Sequence, residues 1–480
     1  MRKTLPLLFE KSVENRRTHY LSKCDVEELE IPKNFKRKVA PKLPELSETD
    51  ITRHYTALEA NTFGINDGFY PLGSCTMKYN PKINDKIASL PGFAEIHPLQ
   101  PENTVQGIFE ALEEANKSLS EITGMDIMSF QPAAGAHGEL ASLMMFKKYF
   151  EDRGETNRIK IIIPDSAHGT NPATVHMCGM KVINLKSNEK GCIDVEELKS
   201  VIDKDLAGIM LTNPNTLGIF EEDILEITKI IHDAGGLCYY DGANLNAIAG
   251  ILRPGDMGFD CIHLNLHKTF STPHGGGGPG SGAIGCKEFL RKYLPGPQIE
   301  KEKDLYKFNS YTESIGQLVA FYGNTLITLR ALAFIMSYGK EGIPKMSKHA
   351  VLNANYLKQR LSERFDIFNK NLCMHEFIIT MEKEAKNNNF TAKDMAKAIL
   401  DEGMMAPTMY FPLIVKEALM VEPTETEGKE TLDFVADKYI KIYDDVVANP
   451  ELAKQFPKNT IISRPDEVTA ARSPIVKYMR

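Results

Sequence analysis

Eight cysteines are spread over 480 residues, and no two form a CxxC pair. That spacing excludes a zinc ribbon and offers no disulfide framework. Cys238 and Cys261 sit inside apolar runs, so the set reads as reduced side chains of a cytoplasmic protein. Long apolar runs are also missing: no window reaches the roughly 18 uninterrupted apolar residues of a membrane helix. The start, MRKTLPLLFEKS, offers only LPLLF before Glu10 and Lys11. A secretory apolar region needs roughly 7–15 residues, so this start is not read as one. Basic charge is not in excess either. There are 57 Lys and Arg against 64 Asp and Glu, a net charge of −7, which argues against a nucleic-acid footprint. No internal repeat occurs, and the one low-complexity stretch is a run of four glycines, Gly275 to Gly278.

Hydrophobic residues make up 42% and charged residues 25%, an ordinary globular balance with material for a sizeable core. The rhythm of the chain divides it into four parts. Residues 1–95 are proline-dotted and irregular, and read as an arm packed along a body or a partner. Residues 96–334 read as a large domain, 335–450 as a small C-terminal α+β domain, and 451–480 as a tail. In the large domain IKIII (159–163), MKVINL (180–185), AGIMLT (207–212), GLCYYD (236–241) and CIHLNL (261–266) are near-continuously apolar. Such runs are strands covered on both faces, hence a mostly parallel sheet flanked by helices. TVQGIFEALEEANKSLSEIT and EEDILEITKIIHDAG have helical spacing, and SGAIGCKE reads as a further strand. LVAFYGNTLITLRALAFIMSYG reads as a long helix opening a mostly helical region.

Ligands of such sheets gather at the carboxyl ends of the strands, where polar and glycine-rich punctuation collects here. AAGAHGE opens a helix whose free N–H groups suit an anion, although a plain tight turn reads equally well. SAHGTN brings His168, which alone is a satisfied loop histidine. DGAN brings Asp241, which alone is a helix cap. His267 and Lys268 end the run CIHLNL just before the four glycines. Together these residues fit pyridoxal phosphate better than any bland reading. That cofactor needs a lysine, a carboxylate opposite its ring nitrogen and an anion cradle. Asp241 and Lys268 each end an apolar run, which puts them on neighbouring strand ends.

SFQPAAGAHGE, SAHGTNPATVHMCGM, DGANLNA and LNLHKTFSTPHGGGGPGSGAIG resemble the pyridoxal-phosphate half of glycine decarboxylase, the P-protein family of the glycine cleavage system. LLFEKS, YPLGSCTMKYNPK and TMYFPLIVKEALMVEPTETEGKETLD extend the resemblance over nearly the whole chain. Within that family the chain is similar to subunit 2, the lysine-bearing subunit of the split form. The resemblance implies the fold type I pyridoxal-phosphate architecture. It implies Lys268 as the Schiff-base lysine, Asp241 as the partner of the ring nitrogen and His168 as the stacking side chain. Ala243 is implied against the other ring face, Gly135 and Ala136 at the phosphate, Thr212 near the phenolic oxygen, and His267 beside the lysine.

The implied activity is glycine dehydrogenase (aminomethyl-transferring). Glycine is decarboxylated and its aminomethyl group passes to the lipoyl arm of the H-protein. The implied assembly holds two copies each of subunit 1 and this subunit. The chain departs from the pattern in TNPNTLG, where relatives often carry an aromatic residue and a serine, and in EKSVENRR, which lacks a proline-glycine. Competing readings are another fold type I decarboxylase or desulfurase, and an inactive scaffold subunit. The scaffold reading has Lys268, Asp241 and His168 against it. A metal hydrolase on His263 and His267 lacks a carboxylate or third ligand, so no metal is expected.

Overall fold

The structure is a computed structural model that describes residues 4–16, 22–97, 99–277 and 280–476. Gly278, the last of the four glycines, lies outside the described residues. The chain forms two compact units, residues 69–455 and residues 1–68 with 456–480.

The larger unit is built on a seven-stranded sheet. Its strands are β1 (Ile127–Ser129), β2 (Lys160–Pro164), β3 (Lys181–Leu185), β4 (Leu206–Thr212), β5 (Leu237–Asp241), β6 (Cys261–Asn265) and β7 (Gly282–Cys286), in the order β1-β7-β6-β5-β4-β2-β3. β3, β2, β4, β5 and β6 run parallel, and β7 is antiparallel to both of its neighbours. Alternate side chains point to opposite faces of a strand, and here each set enters its own core. Ile162, Ile209, Leu211, Cys238 and Tyr240 join Phe109, Leu112 and Ile227 on one face. Ile161, Ile163, Met210 and Tyr239 join Leu143, Phe146 and Val175 on the other. The continuous apolar runs follow from that double burial. β3 differs: it is the sheet edge, with Lys181 and Asn184 exposed and Val182 and Ile183 half-buried.

The helix expected from Leu318 begins at Thr325 and runs to Leu361. Gly323, at φ 97°, turns the chain where its Cβ would lie 2.0 Å from the Phe130 carbonyl. The proposed domain boundary near 335 falls inside this helix. Gly339 breaks it just beyond, with φ 63° and ψ −176°. The C-terminal part carries a four-stranded antiparallel sheet of Asp366–Ile367, Phe377–Thr380, Ala418–Val421 and Thr408–Met409, in that spatial order. The segment before residue 75 joins this sheet. Leu72 bridges Val421, and the Gly73 N–H donates to the Met420 carbonyl at 3.3 Å.

The smaller unit is less irregular than its sequence suggests. Ser47 accepts from the Asp50 N–H and Asp50 accepts back from Ser47, a reciprocal cap that starts a helix over Glu48–Glu59. The stretch before it keeps no helix or strand over 22–45. Val26, Leu29, Phe35, Val39 and Leu43 are 71–89% exposed there.

Gly208 sits in an Ile- and Leu-rich strand because β5 passes too close for a side chain. A Cβ there would lie 2.1 Å from the Leu237 carbonyl oxygen. Gly208→Ala must push two central strands apart, at a cost of about 3 kcal/mol. Urea unfolding of the full chain measures this, and an unchanged midpoint contradicts the β4–β5 register.

Candidate active site

β1 runs antiparallel to β7 and so points the same way as β6. The carboxyl ends of β1, β2, β4, β5 and β6 therefore share one edge. Asp241 is the last residue of β5, and Thr212 stands opposite it on β4. Lys268 follows β6, the other neighbour of β5, and is half-buried. The strand pairing sets Asp241 opposite His263, at the end of β6 that leads to Lys268, and the charge of Lys268 reaches Asp241.

Asp241 is buried at 3% exposure yet well furnished. Its Oδ1 accepts the Ala243 N–H at 3.0 Å and lies 3.6 Å from His263 Nε2. Its Oδ2 accepts from Asn171 Nδ2 at 3.2 Å. Burial works to raise its pKa. The His263 ring, the Ala243 N–H, the Lys268 charge and the Asn171 amide outweigh it and hold the carboxyl below the ordinary value. Asp241 also caps the short turn Gly242–Ala247, as the capping reading expects. The His263 ring is buried between the Tyr239 hydroxyl, which bonds Nδ1, and Asn265 Oδ1, 3.0 Å from Nε2.

Gly135 and Ala136 open the helix Gly135–Asp152, whose first N–H groups have no partner within the helix. Gly135 is glycine for lack of room: a Cβ would lie 2.3 Å from Asn265 Nδ2 and 2.8 Å from His263 Nε2. Gly138 is as tight, with a Cβ 2.7 Å from that of His263. From this helix Glu139, buried, accepts from Thr170 at 2.8 Å and from Asn171 at 2.9 Å. Asn171 thus ties Glu139 to Asp241. His168 is exposed, with Nδ1 2.9 Å from the Thr170 hydroxyl. Its ring faces Phe411, centroids 5.4 Å apart and planes tilted by 59°.

On β4 and in the stretch around Lys268, five polar atoms are buried without a hydrogen-bond partner among the described residues. They are Thr212 Oγ1, His267 Nδ1, Thr269 Oγ1, Thr272 Oγ1 and His274 Nδ1. Buried polar groups are normally satisfied, so these atoms are open to a polar ligand. Burial, then the charge of Lys268, pushes the His267 pKa down to about 4, which keeps its ring neutral. Gly275, Gly276 and Gly277 have φ of 60°, 75° and 122°, and a Cβ on Gly276 or Gly277 would meet nothing within 4 Å. They are glycines because the turn is left-handed. Close approach is real just beyond them, at Gly280, where a Cβ would lie 2.8 Å from His267 Nδ1.

The sequence reading missed a second group of side chains. His375, Glu376 and Glu422 are essentially fully buried, and the charge of Lys268 acts on all three. Their signal was faint: polar residues flanking the short apolar runs FIIT and ALMV.

The family described as "Glycine cleavage system P-protein" matches residues 18–315, and "Glycine dehydrogenase, C-terminal domain" matches 346–466. A protein of Treponema denticola named "Probable glycine dehydrogenase (decarboxylating) subunit 2" is 54% identical over 98% of both chains. One of the same name from Caldanaerobacter subterraneus subsp. tengcongensis is 55% identical over 99% of both. Among solved structures, a glycine decarboxylase (P-protein) of the glycine cleavage system in inhibitor-bound form superposes with a TM-score of 0.74. It covers 86% of this chain and 93% of its own at 18% identity, a likeness of fold.

His375 supplies a pH test of this interior. Burial, and then the charge of Lys268, pushes its pKa down to about 3. The unfolded chain binds that proton more readily, so the imidazole's contribution to stability is present above pH ~6.5 and lost as pH falls toward 3. The two glutamates, with raised pKa values, act in the opposite sense over the lower part of this window. The difference between wild type and His375→Asn therefore isolates the ring. Thermal or urea midpoints should show the variant losing on the order of 2–3 kcal/mol less than wild type between pH 7 and about 4.5. Equal losses contradict a neutral buried His375.

Proposed function

The chain belongs to the glycine cleavage system P-protein family, and from that premise we propose that it decarboxylates glycine with pyridoxal phosphate held covalently on Lys268. The observation that carries this reading is a buried Asp241 at the end of β5, held ionised in part by the charge of Lys268, which follows the neighbouring strand β6; Thr212, His267, Thr269, Thr272 and His274 keep buried polar atoms without a partner among the described residues. Those residues fit the group: a lysine, an anion opposite a ring nitrogen, and a helix start cleared by Gly135.

Bound there, pyridoxal phosphate supplies an electron sink for cleavage of the Cα–carboxylate bond of glycine. Asp241 keeps a proton on the ring nitrogen it faces, and the Asn171–Glu139 link fixes its direction. The first turn at Gly135 and Ala136 receives the phosphate. His168 offers its ring as a stacking surface, backed by Phe411, with Ala243 at the opposite face. Thr212 Oγ1 and His267 Nδ1 are donors or acceptors for the oxygens of the group.

The aminomethyl group would pass to the lipoyl arm of a separate carrier, the H-protein, in the cytoplasm. We propose assembly with a first subunit, two copies of each. The relatives named "subunit 2" support this, as do the exposed apolar side chains at Val26, Leu29, Phe35, Val39 and Leu43. Such a patch favours burial by a partner. In the proposed division, Lys268 belongs to the large domain, residues 96–334, and the small domain spans 335–450.

Borohydride reduction of the loaded chain, followed by peptide mapping, should place the label on Lys268, and a label elsewhere overturns the assignment. Asp241→Asn should fold and bind the group but lose decarboxylation by about a hundredfold or more, on the scale of losing a charged stabilising contact. Near-native turnover with the group bound refutes the role of Asp241. Light scattering should show the chain alone failing to reach the mass it attains with its companion, and a stable, fully active monomer contradicts the assembly.

A further inference from the structure

Residues 71–80 form a strap that the roles above leave without a task. Its first half is held at the C-terminal sheet. The Ser74 N–H donates to Glu376 Oε2 at 2.7 Å, and the Thr76 N–H to Glu422 Oε2 at 2.9 Å. These acids adjoin Phe377 and Val421, which pair in that sheet. The second half of the strap reaches the turn that carries Lys268. The Lys78 side chain is buried, at 1% exposure. Its ammonium donates to the Thr269 carbonyl at 2.7 Å, to Glu425 Oε1 at 2.7 Å and to Asn246 Oδ1 at 3.0 Å. An ammonium has three protons, so each has its own acceptor. Met346 Sδ at 3.4 Å and the Phe334 ring, its centroid 5.0 Å away, enclose the group further.

The three acceptors come from three places around the site. Thr269 follows Lys268 directly. Asn246 lies in the turn Gly242–Ala247 that Asp241 caps. Glu425 lies just beyond the strand Ala418–Val421 and also accepts from Asn246 Nδ2 at 3.2 Å. Lys78 therefore ties the turn after β6 to the turn after β5. Tyr79 and Asn80 add to the hold. Ser271 Oγ donates to the Tyr79 carbonyl at 2.6 Å and accepts from Asn80 Nδ2 at 3.2 Å. Ser271 has φ of 55°, a conformation that a non-glycine residue keeps where its surroundings impose it. Within the turn the Lys268 N–H donates to the Asn265 carbonyl at 3.0 Å, and the Lys268 carbonyl accepts the Ser271 N–H at 3.1 Å. The backbone on both sides of Lys268 is thus fixed, and the outer fixings come from the strap. Stability alone does not call for an ammonium here. A buried ion pair is commonly no more stable than well-packed apolar side chains of like volume, but apolar side chains cannot hold a carbonyl in a set direction.

We propose that Lys78 is a positioning residue for Lys268: by holding the Thr269 carbonyl, while Asn80 holds Ser271, it sets the reach and direction of the Lys268 amine. The inference rests on Lys268 being the cofactor-bearing lysine. Lys78 acts through the turn, since all three of its protons are engaged by the protein. A misplacement of about 1 Å at a reacting atom costs about a hundredfold in rate, so loosening this turn is felt even where every other part of the site is intact.

The test uses the full-length chain stripped of cofactor, with pyridoxal phosphate added back. The double variant Lys78→Met, Glu425→Gln removes both charges at once, so that no buried charge is left unpaired. It should keep the thermal midpoint of wild type yet take up pyridoxal phosphate about tenfold more slowly or worse. Its visible circular dichroism, which reports how the bound chromophore is held, should weaken. A merely structural pair moves the midpoint and not the spectrum of the folded chain. Wild-type uptake and dichroism in the folded double variant overturn the proposal. If the double variant loses its midpoint, Ser271→Ala decides, because it removes one hydroxyl and leaves the Lys78–Glu425 pair in place. Altered dichroism at an unchanged midpoint supports the tether, and an unaltered spectrum overturns it. Borohydride reduction and peptide mapping of wild type keep the two readings apart. A label on Lys268 leaves the site assignment standing whatever the variants show, whereas a label on another lysine overturns that assignment and this inference with it.

Discussion

The cost of burying charge at the carboxyl edge of the sheet governs this site. Asp241 is sunk at the end of β5, where a lone carboxylate would be protonated. It stays ionised because four partners arrive from four places: the ring of His263 on β6, the next turn's Ala243 N–H, Asn171 from the helix Thr170–Met177, and the charge of Lys268. Much of the local sequence serves that arrangement. Gly135 and Gly138 are small so that β6 can present His263 and Asn265, and Glu139 is buried so that Asn171 has an anchor. The acids at 376 and 422 belong to the same electrostatic problem, since the charge of Lys268 acts on them as it does on Asp241.

The parts legible in the sequence were those where one physical demand dominates. The strands β2, β4, β5 and β6 face two cores and so read as unbroken apolar runs. Their order of appearance told which loops meet at one edge, and with it that Asp241 and Lys268 are neighbours. β3 shows the limit of that logic, because an edge strand keeps the run MKVINL while Lys181 and Asn184 face solvent. The helix Glu48–Glu59 was missed because its apolar period is weak, and its reciprocal Ser47–Asp50 cap is a local signal that a search for periodicity overlooks.

The acids near Lys268 were illegible for a different reason. Glu376 and Glu422 meet Ser74 and Thr76 across sequence separations of 302 and 346 residues. No local pattern encodes such a meeting. The glycines at 275–277 adopt left-handed turns, and around the site a Cβ would collide with protein atoms at Gly135, Gly138 and Gly280.

The central claim, that this chain decarboxylates glycine in concert with a lipoyl carrier, is tested most directly by exchange of labelled bicarbonate into glycine. The reaction would contain the purified chain, its companion subunit, pyridoxal phosphate and, in one arm only, a lipoylated carrier protein. The account predicts rapid exchange that collapses when either the companion or the lipoylated carrier is left out. No exchange in the complete mixture, or equal exchange without the carrier, would contradict it.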